Sequence, residues 1–301
     1  MSARTLADQV PGLPISGYDL DIWRLTNPLP IDSLRGSVIL KGQYIDLKLT
    51  VWLLRRGLLR AINLCALGMR MEHYAARRYY QTLFVSPNFT DYPSCSENAL
   101  LINVRGAEIL GNVHSDYGPL PLAFYQQIIE STGLHPVFMG QLGADTYSQQ
   151  IRQWFPQAEI LPSQGPLGDF QMLRAARHIV AGCSTFSWLA AWLSEATEIH
   201  LPVIGIFNPE QRPDIDLLPV TDGRYRYYRF PVRHWVANTS QVDELFKPGY
   251  FSELSSTQLQ KTLAVAKRSL APALSRYRRQ LVVRAIMQRL FGVGGGVIMR
   301  R

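Results

Sequence analysis

The sequence predicts an α/β fold built on a doubly wound parallel sheet, and three observations carry that expectation. The chain has 301 residues, 47% of them hydrophobic and 18% charged, so it can bury a sizeable core and is not a disordered composition. Between Asn98 and Pro209, short β-type runs alternate strictly with helical stretches. Directly after each β-type run stand polar residues and glycines, where ligands collect in such a sheet.

The strands are expected at Ala99 to Val104, Pro136 to Met139, Glu159 to Leu161, His178 to Cys183 and Leu201 to Phe207. Helices fill the gaps at Pro121 to Ser131, Thr146 to Trp154, Leu167 to Arg177 and Thr185 to Ala196. The segment 96–230 therefore reads as a Rossmann-type domain. Residues 1–95 give a strand at Ser37 to Gly42 and helices at Leu47 to Gly68 and Met71 to Leu83, but no complete βαβ array. They read as a smaller or incomplete N-terminal domain. Residues 231–301 read as C-terminal helices with a break at Pro272, followed by a glycine-rich, mobile tail from Gly292 to Arg301.

Composition removes several function classes. Cys65, Cys95 and Cys183 are odd in number and widely spaced, which supports neither a disulfide framework nor a zinc site. The N-terminus lacks the apolar core of a secretory signal, and Arg55, Arg56 and Arg60 interrupt the longest apolar stretch, Leu49 to Met69. A cytoplasmic protein is expected. The six histidines form no His-Glu-x-x-His pair, and there is no Gly-x-Ser-x-Gly elbow. Zinc and serine hydrolase chemistry is not expected.

The sharpest local feature is Cys183-Ser184-Thr185-Phe186-Ser187-Trp188, a strand running into a helix that opens on hydroxyl residues. Ser184 is placed as N-cap, and the free N–H groups and dipole of the helix start suit a phosphate, with Thr185 and Ser187 as added donors. An ordinary capped helix explains the same residues. The second feature is Leu101 to Glu108, an apolar run ending in Arg105 and Gly106. An arginine there can clamp a diphosphate through parallel hydrogen bonds, and a glycine lets backbone approach a ligand. A surface ion pair between Arg105 and Glu108 is the alternative.

Taken together these features resemble the fucosyltransferase superfamily of GT-B type glycosyltransferases, the α-1,2-fucosyltransferases in particular. Ser184-Thr185-Phe186-Ser187-Trp188-Leu189-Ala190-Ala191 is similar to that family's Ser-Ser-Phe-Ser-Trp-Trp-Ala-Ala helix start. Asn103 to Glu108 is similar in part to its His-x-Arg-Arg-Gly-Asp motif: Arg105 keeps the first arginine, Gly106 replaces the second, and Glu108 takes the acidic position. Val137 to Gln141 falls where the family has a strand ending in Ser-Asp-Asp, and the family's amino-terminal Gly-Gly-x-Gly-Asn-Gln loop is absent. The resemblance covers residues 96 to 210.

It implies a GT-B-like, metal-independent, inverting transfer from a nucleotide sugar, with GDP-fucose the expected donor and a glycan or lipid-linked oligosaccharide the acceptor, in polysaccharide assembly. Residues 1–95 would then be the acceptor side. Arg105, Gln141, Ser184, Thr185, Phe186 and Ser187 are the expected donor contacts. Arg105 and Glu108 are the expected catalytic pair, with His114 and Asp116 as further candidates for the base. Each of the three candidate bases also reads as a solvated loop residue. No cofactor is expected beyond the donor itself. A transferase-like scaffold without activity is the alternative.

Two Asp-x-Asp pairs, Asp19-Leu20-Asp21 and Asp214-Ile215-Asp216, have the spacing of a metal-diphosphate loop, but no metal is expected because arginine and a helix start already supply counter-charge. Arg224 to Arg229 suits either base stacking or an edge strand with alternating faces. The net charge of +8 concentrates between Ser256 and Phe291, where eight Lys and Arg residues meet no Asp or Glu. Amphipathic helices with a cationic face are expected there, packed on the protein or touching a membrane surface. Nucleic acid is the rival partner by charge alone, and no recognisable nucleic-acid module supports it.

Overall fold

The computed structural model describes residues 1–20, 23, 25–27, 36–66, 68–84 and 95–299. The chain forms two compact units, one of Met1–Ser86, Pro213–Leu218 and Leu263–Arg301, the other of Pro87–Arg212 and Pro219–Thr262. The segment expected as a third block, 231–301, is thus divided between them.

The first unit begins with α1 (Ser2–Gln9) and a short antiparallel pair, β1 (Tyr18–Leu20) and β2 (Leu25–Asn27). It continues through β3 (Val38–Gly42), α2 (Leu47–Arg55), β4 (Ile62–Ala66), a 3-10 turn at Met71–His73 and α3 (Arg77–Leu83). The single helix expected over Leu47 to Gly68 is corrected here. It stops at Arg55, and Ile62–Ala66 pairs in parallel with β3 as far as Gly42 opposite Ala66. The apolar spacing of that stretch suits either state, and the open edge of β3 decides for strand.

The second unit carries β5 (Ala99–Val104), α4 (Leu122–Thr132), β6 (His135–Gly140), α5 (Thr146–Trp154), β7 (Glu159–Ile160), α6 (Gly165–Ala175), β8 (His178–Val180), α7 (Thr185–Leu193) and β9 (Glu198–Val203). This is the expected alternation. Beyond it come β10 (Tyr225–Arg229), α8 (Thr239–Glu244) and β11 (Ser252–Leu254). The sheet order is β11-β10-β9-β8-β5-β6-β7. Its six parallel strands, counted along the chain, lie in the doubly wound order 3-2-1-4-5-6, with β11 antiparallel at the edge.

Every residue of β5 is buried, as a central parallel strand covered on both faces requires. β10 is not the edge strand allowed by the sequence, since it lies between β9 and β11. Its Tyr225, Tyr227 and Tyr228 are buried, while Arg226 and Arg229 point to solvent and pair with Glu198 and Glu210. The tyrosines are therefore core residues and offer no open stacking platform.

The chain ends in α9 (Ser256–Ser269), α10 (Ala271–Phe291) and β12 (Gly295–Ile298). Pro272 stands in the first turn of α10, where a missing N–H costs nothing, and so marks the break as expected. The tail expected to be mobile instead forms β12, parallel to β3, with Val297 completely buried. A core of Val38, Leu40, Leu53, Tyr277, Leu281, Ala285 and Val297 binds this sheet to α2 and α10. Gln288, buried on α10, accepts hydrogen bonds from the Arg60 and Ala61 N–H groups and donates to the Gly36 and Ala61 carbonyls. One side chain thereby ties the entries of β3 and β4 to the helix. No helix among the described residues is long and apolar enough to cross a membrane.

Candidate functional site

In the second unit β5 lies between β6 and β8, so the chain leaves β5 on one side of the sheet and later returns on the other. That switch point opens a crevice beyond the carboxyl ends of the strands. A cleft of about 310 Å³ is found there, near the lower end of small-molecule sites. The ends of β5, β6 and β7 and the start of α7 line it with Asn103, Arg105, Gln141, Ser163, Ser184 and Phe186, among others.

Arg105 follows β5 directly. Its Nη2 donates to Glu108 Oε1 at 2.9 Å, and Gln141 Nε2 donates to Glu108 Oε2 at 2.8 Å. Its Nε is buried without a partner among the described residues, and its Cζ lies 5.7 Å from the Tyr117 ring centre. A buried donor left unmade costs about 1–3 kcal/mol. Of the sequence alternatives for Arg105, the ion pair with Glu108 is the one present.

Gly106 does not offer its open face to a ligand. A Cβ built on it would lie 2.5 Å from the Gln141 carbonyl, so the glycine lets the β6 loop close against the β5 loop. Gly140, at the end of β6, has φ +107° and a Cβ there would lie 2.5 Å from the Val104 carbonyl. The two loops are held together by backbone contact that only glycine permits.

At the start of α7, Ser184 is the N-cap: its Oγ accepts from the Ser187 N–H at 3.0 Å and its carbonyl from the Trp188 N–H. The N–H groups of Thr185 and Phe186 make no hydrogen bond within the described residues, leaving two donors at the positive end of the helix. Ser187, expected to offer its hydroxyl to a phosphate, is fully buried, and its Oγ accepts from the Gly182 N–H at 2.9 Å. It fixes the turn. Thr185 is half-buried beside the cleft lining, and Phe186 packs edge-on against Phe170 at 5.6 Å.

Two lining residues were not singled out from the sequence. Asp169 on α6 is buried, accepting from Ser163 Oγ at 2.7 Å and from the Gln164 N–H at 2.8 Å. No motif marks it, although both partners lie close in sequence, in the loop that enters α6. Asn103 is buried too, and its amide makes no hydrogen bond within the described residues. Its signal was legible: it is the single polar residue of an otherwise apolar, fully buried strand.

The other candidate bases stand apart from the cleft lining. Asp116 is buried beside a small depression with Ser115, Arg233 and Trp235. It accepts from Gln211 Nε2 and from Arg212 Nη1, and its backbone N–H donates to His114 Nδ1. Burial alone would raise its carboxyl, but the Gln211 and Arg212 hydrogen bonds and the Arg212 charge outweigh that and hold it below the usual range. A carboxylate so held is a structural anchor. His114 itself is exposed and rests edge-on against Tyr117. Burial pushes the Cys183 thiol up to about 12, which makes it unreactive.

Among the described residues no group of three His, Cys, Asp or Glu side chains converges. Of the Asp-x-Asp pairs, Asp21 lies outside the described residues, and Asp216 is a largely buried carboxyl of the first unit whose pKa burial raises. Comparison with protein-family models, with curated proteins and with solved structures finds no match to this chain.

Proposed function

We propose that the chain is a metal-independent inverting glycosyltransferase that takes its sugar from a nucleoside-diphosphate donor, GDP-fucose first, and passes it to a hydroxyl of a glycan or lipid-linked acceptor. In this reading the second unit is the donor domain of a GT-B-like enzyme. The observation that supports it is the pairing, at the switch-point cleft, of the unpartnered Arg105 Nε with the unused Thr185 and Phe186 N–H groups. Arg105 and Phe186 line the cleft and Thr185 adjoins it, and unused donors so placed suit a diphosphate.

The chemistry follows from charge. The acceptor oxygen attacks the anomeric carbon, the bond to the diphosphate breaks, and the nucleoside diphosphate leaves with the electron pair. Arg105 and the α7 start stabilise that leaving charge, the kind of electrostatic contribution that dominates many transfers. The incoming diphosphate competes with Glu108 for Arg105, and the released Glu108 carboxylate takes the acceptor proton. Asp169 and Asn103 remain to bind ribose or sugar hydroxyls.

A thermal-shift panel of GDP, UDP, CDP and their sugars tests the reading. GDP at about a hundredfold over Kd should raise the melting temperature by roughly 5 °C, and Arg105→Ala should abolish the response. Indifference to every nucleotide would sink it. That result would favour a transferase-like scaffold, which the full engagement of Glu108 by Arg105 and Gln141, and of Asp116 by Gln211 and Arg212, also suits.

A further inference from the structure

Charge is divided unequally between the two units. The first holds 20 Lys and Arg against 8 Asp and Glu, and the second holds 11 against 15. The whole positive excess of the chain therefore belongs to the unit that lacks the candidate cleft. Such asymmetry marks a surface for an anionic partner.

Within that unit, α10 has two distinct faces. Ala273, Tyr277, Leu281, Ala285 and Gln288 are buried against the sheet. The opposite face carries Arg276, Arg279, Val283, Ile286 and Leu290 at three- and four-residue spacing, a strip about 20 Å long. Val283, Ile286 and Leu290 are 56%, 43% and 66% exposed, and Phe291 and Val293 extend the apolar surface past the helix end. Arg276, Arg279 and Arg289 form no ion pair among the described residues, and no acidic residue occurs anywhere after Glu253. The helix thus displays large aliphatic side chains and uncompensated cations together.

We propose that this face of α10 docks the protein in the plane of an anionic lipid bilayer, its aliphatic strip at the acyl boundary and its arginines among the headgroups. Three alternatives fit less well. Nucleic acid would neutralise the arginines yet leave Val283, Ile286 and Leu290 in water. A second copy would set one strongly cationic unit against another. A spanning helix is excluded for α10 by its five arginines, although its 21 residues would be long enough. The inference is independent of what the cleft binds.

Flotation of the full chain with extruded vesicles tests it. Binding to phosphatidylcholine vesicles containing a third phosphatidylglycerol should be at least tenfold tighter than to phosphatidylcholine alone, and should weaken in about 0.5 M salt as screening shortens the reach of the arginines. Ile286→Ser with Leu290→Ser, at exposed positions, should lower affinity about tenfold with unchanged circular dichroism. Arg276→Gln with Arg279→Gln should do the same. If the serine pair misfolds, Ile286→Ala with Leu290→Ala reads the same contact. The proposal is overturned by no binding to anionic vesicles at low salt. It is equally overturned by apolar variants that bind like the parent, by equal affinity for polyuridine, or by self-association through this face without vesicle binding.

Discussion

Arg105 and Glu108 form an ion pair at 2.9 Å that leaves the arginine's Nε buried and, among the described residues, unpartnered. Gln141 completes the arrangement by holding the second carboxylate oxygen. The pair holds the guanidinium in place, and in the proposed reading a diphosphate would have to displace Glu108 to use both edges of the fork.

Glu108→Gln separates the two roles proposed for this carboxylate. Removing its charge frees Arg105, so a nucleoside diphosphate should bind about three- to tenfold more tightly in calorimetric titration. The same change should lower kcat for transfer about 10²–10⁴-fold, the range of a lost general base. An unchanged kcat would remove Glu108 from the chemistry and leave it a positioning residue.

Gly140→Ala should destabilise the second unit. At φ +107° any Cβ is strained, and here it would also press on the Val104 carbonyl. A loss of about 2–4 kcal/mol is expected from the shift in the urea midpoint at constant m-value. Gly133→Ala, with φ +65° but open space around the site, should cost less.

His200 should make stability depend on pH. Burial lowers its pKa from 6.5 to about 4, with the Glu198 carboxylate opposing only in part, and its Nδ1 lies 2.8 Å from the Tyr228 hydroxyl. The unfolded chain therefore takes up a proton, between pH 6.5 and about 4, that the folded chain refuses. The contribution is complete above pH 6.5 and falls away as pH drops toward 4, by on the order of 3 kcal/mol. In His200→Gln that slope should flatten when unfolding free energy is measured across the window. An unchanged slope would place the acid sensitivity elsewhere.

Gln288→Leu should cost about 3 kcal/mol, because four backbone groups at the entries of β3 and β4 lose a side-chain partner. Gln280→Leu, on the exposed face of the same helix, should stay within about 0.5 kcal/mol. Chemical denaturation followed by circular dichroism distinguishes the two.

Much of the second unit was legible residue by residue. The bounds of β5 and α5 coincide with those expected, because an apolar run broken only by Asn103 and a capped amphipathic stretch each suit one state. Arg105 and Ser184 were legible as crevice residues for a related reason: each directly follows a buried run in an alternating pattern. The first unit was read less well. Ile62–Ala66 and Gly295–Ile298 become strands only because both edges of β3 accept them, one partner 24 residues on and the other near the chain end. No local pattern contains that information.

By itself, then, the sequence determined that this is an α/β protein with polar groups after its buried strands and an acid-free, basic C-terminal segment. Local periodicity and composition suffice for that. Only the tertiary structure decided that Asn103 and Asp169 join Arg105 at one cleft, that Ser187 is consumed by the Gly182 N–H, and that β10 is interior. Those outcomes depend on which strands become neighbours, and on which hydrogen-bonding groups remain unpaired once the neighbours have met.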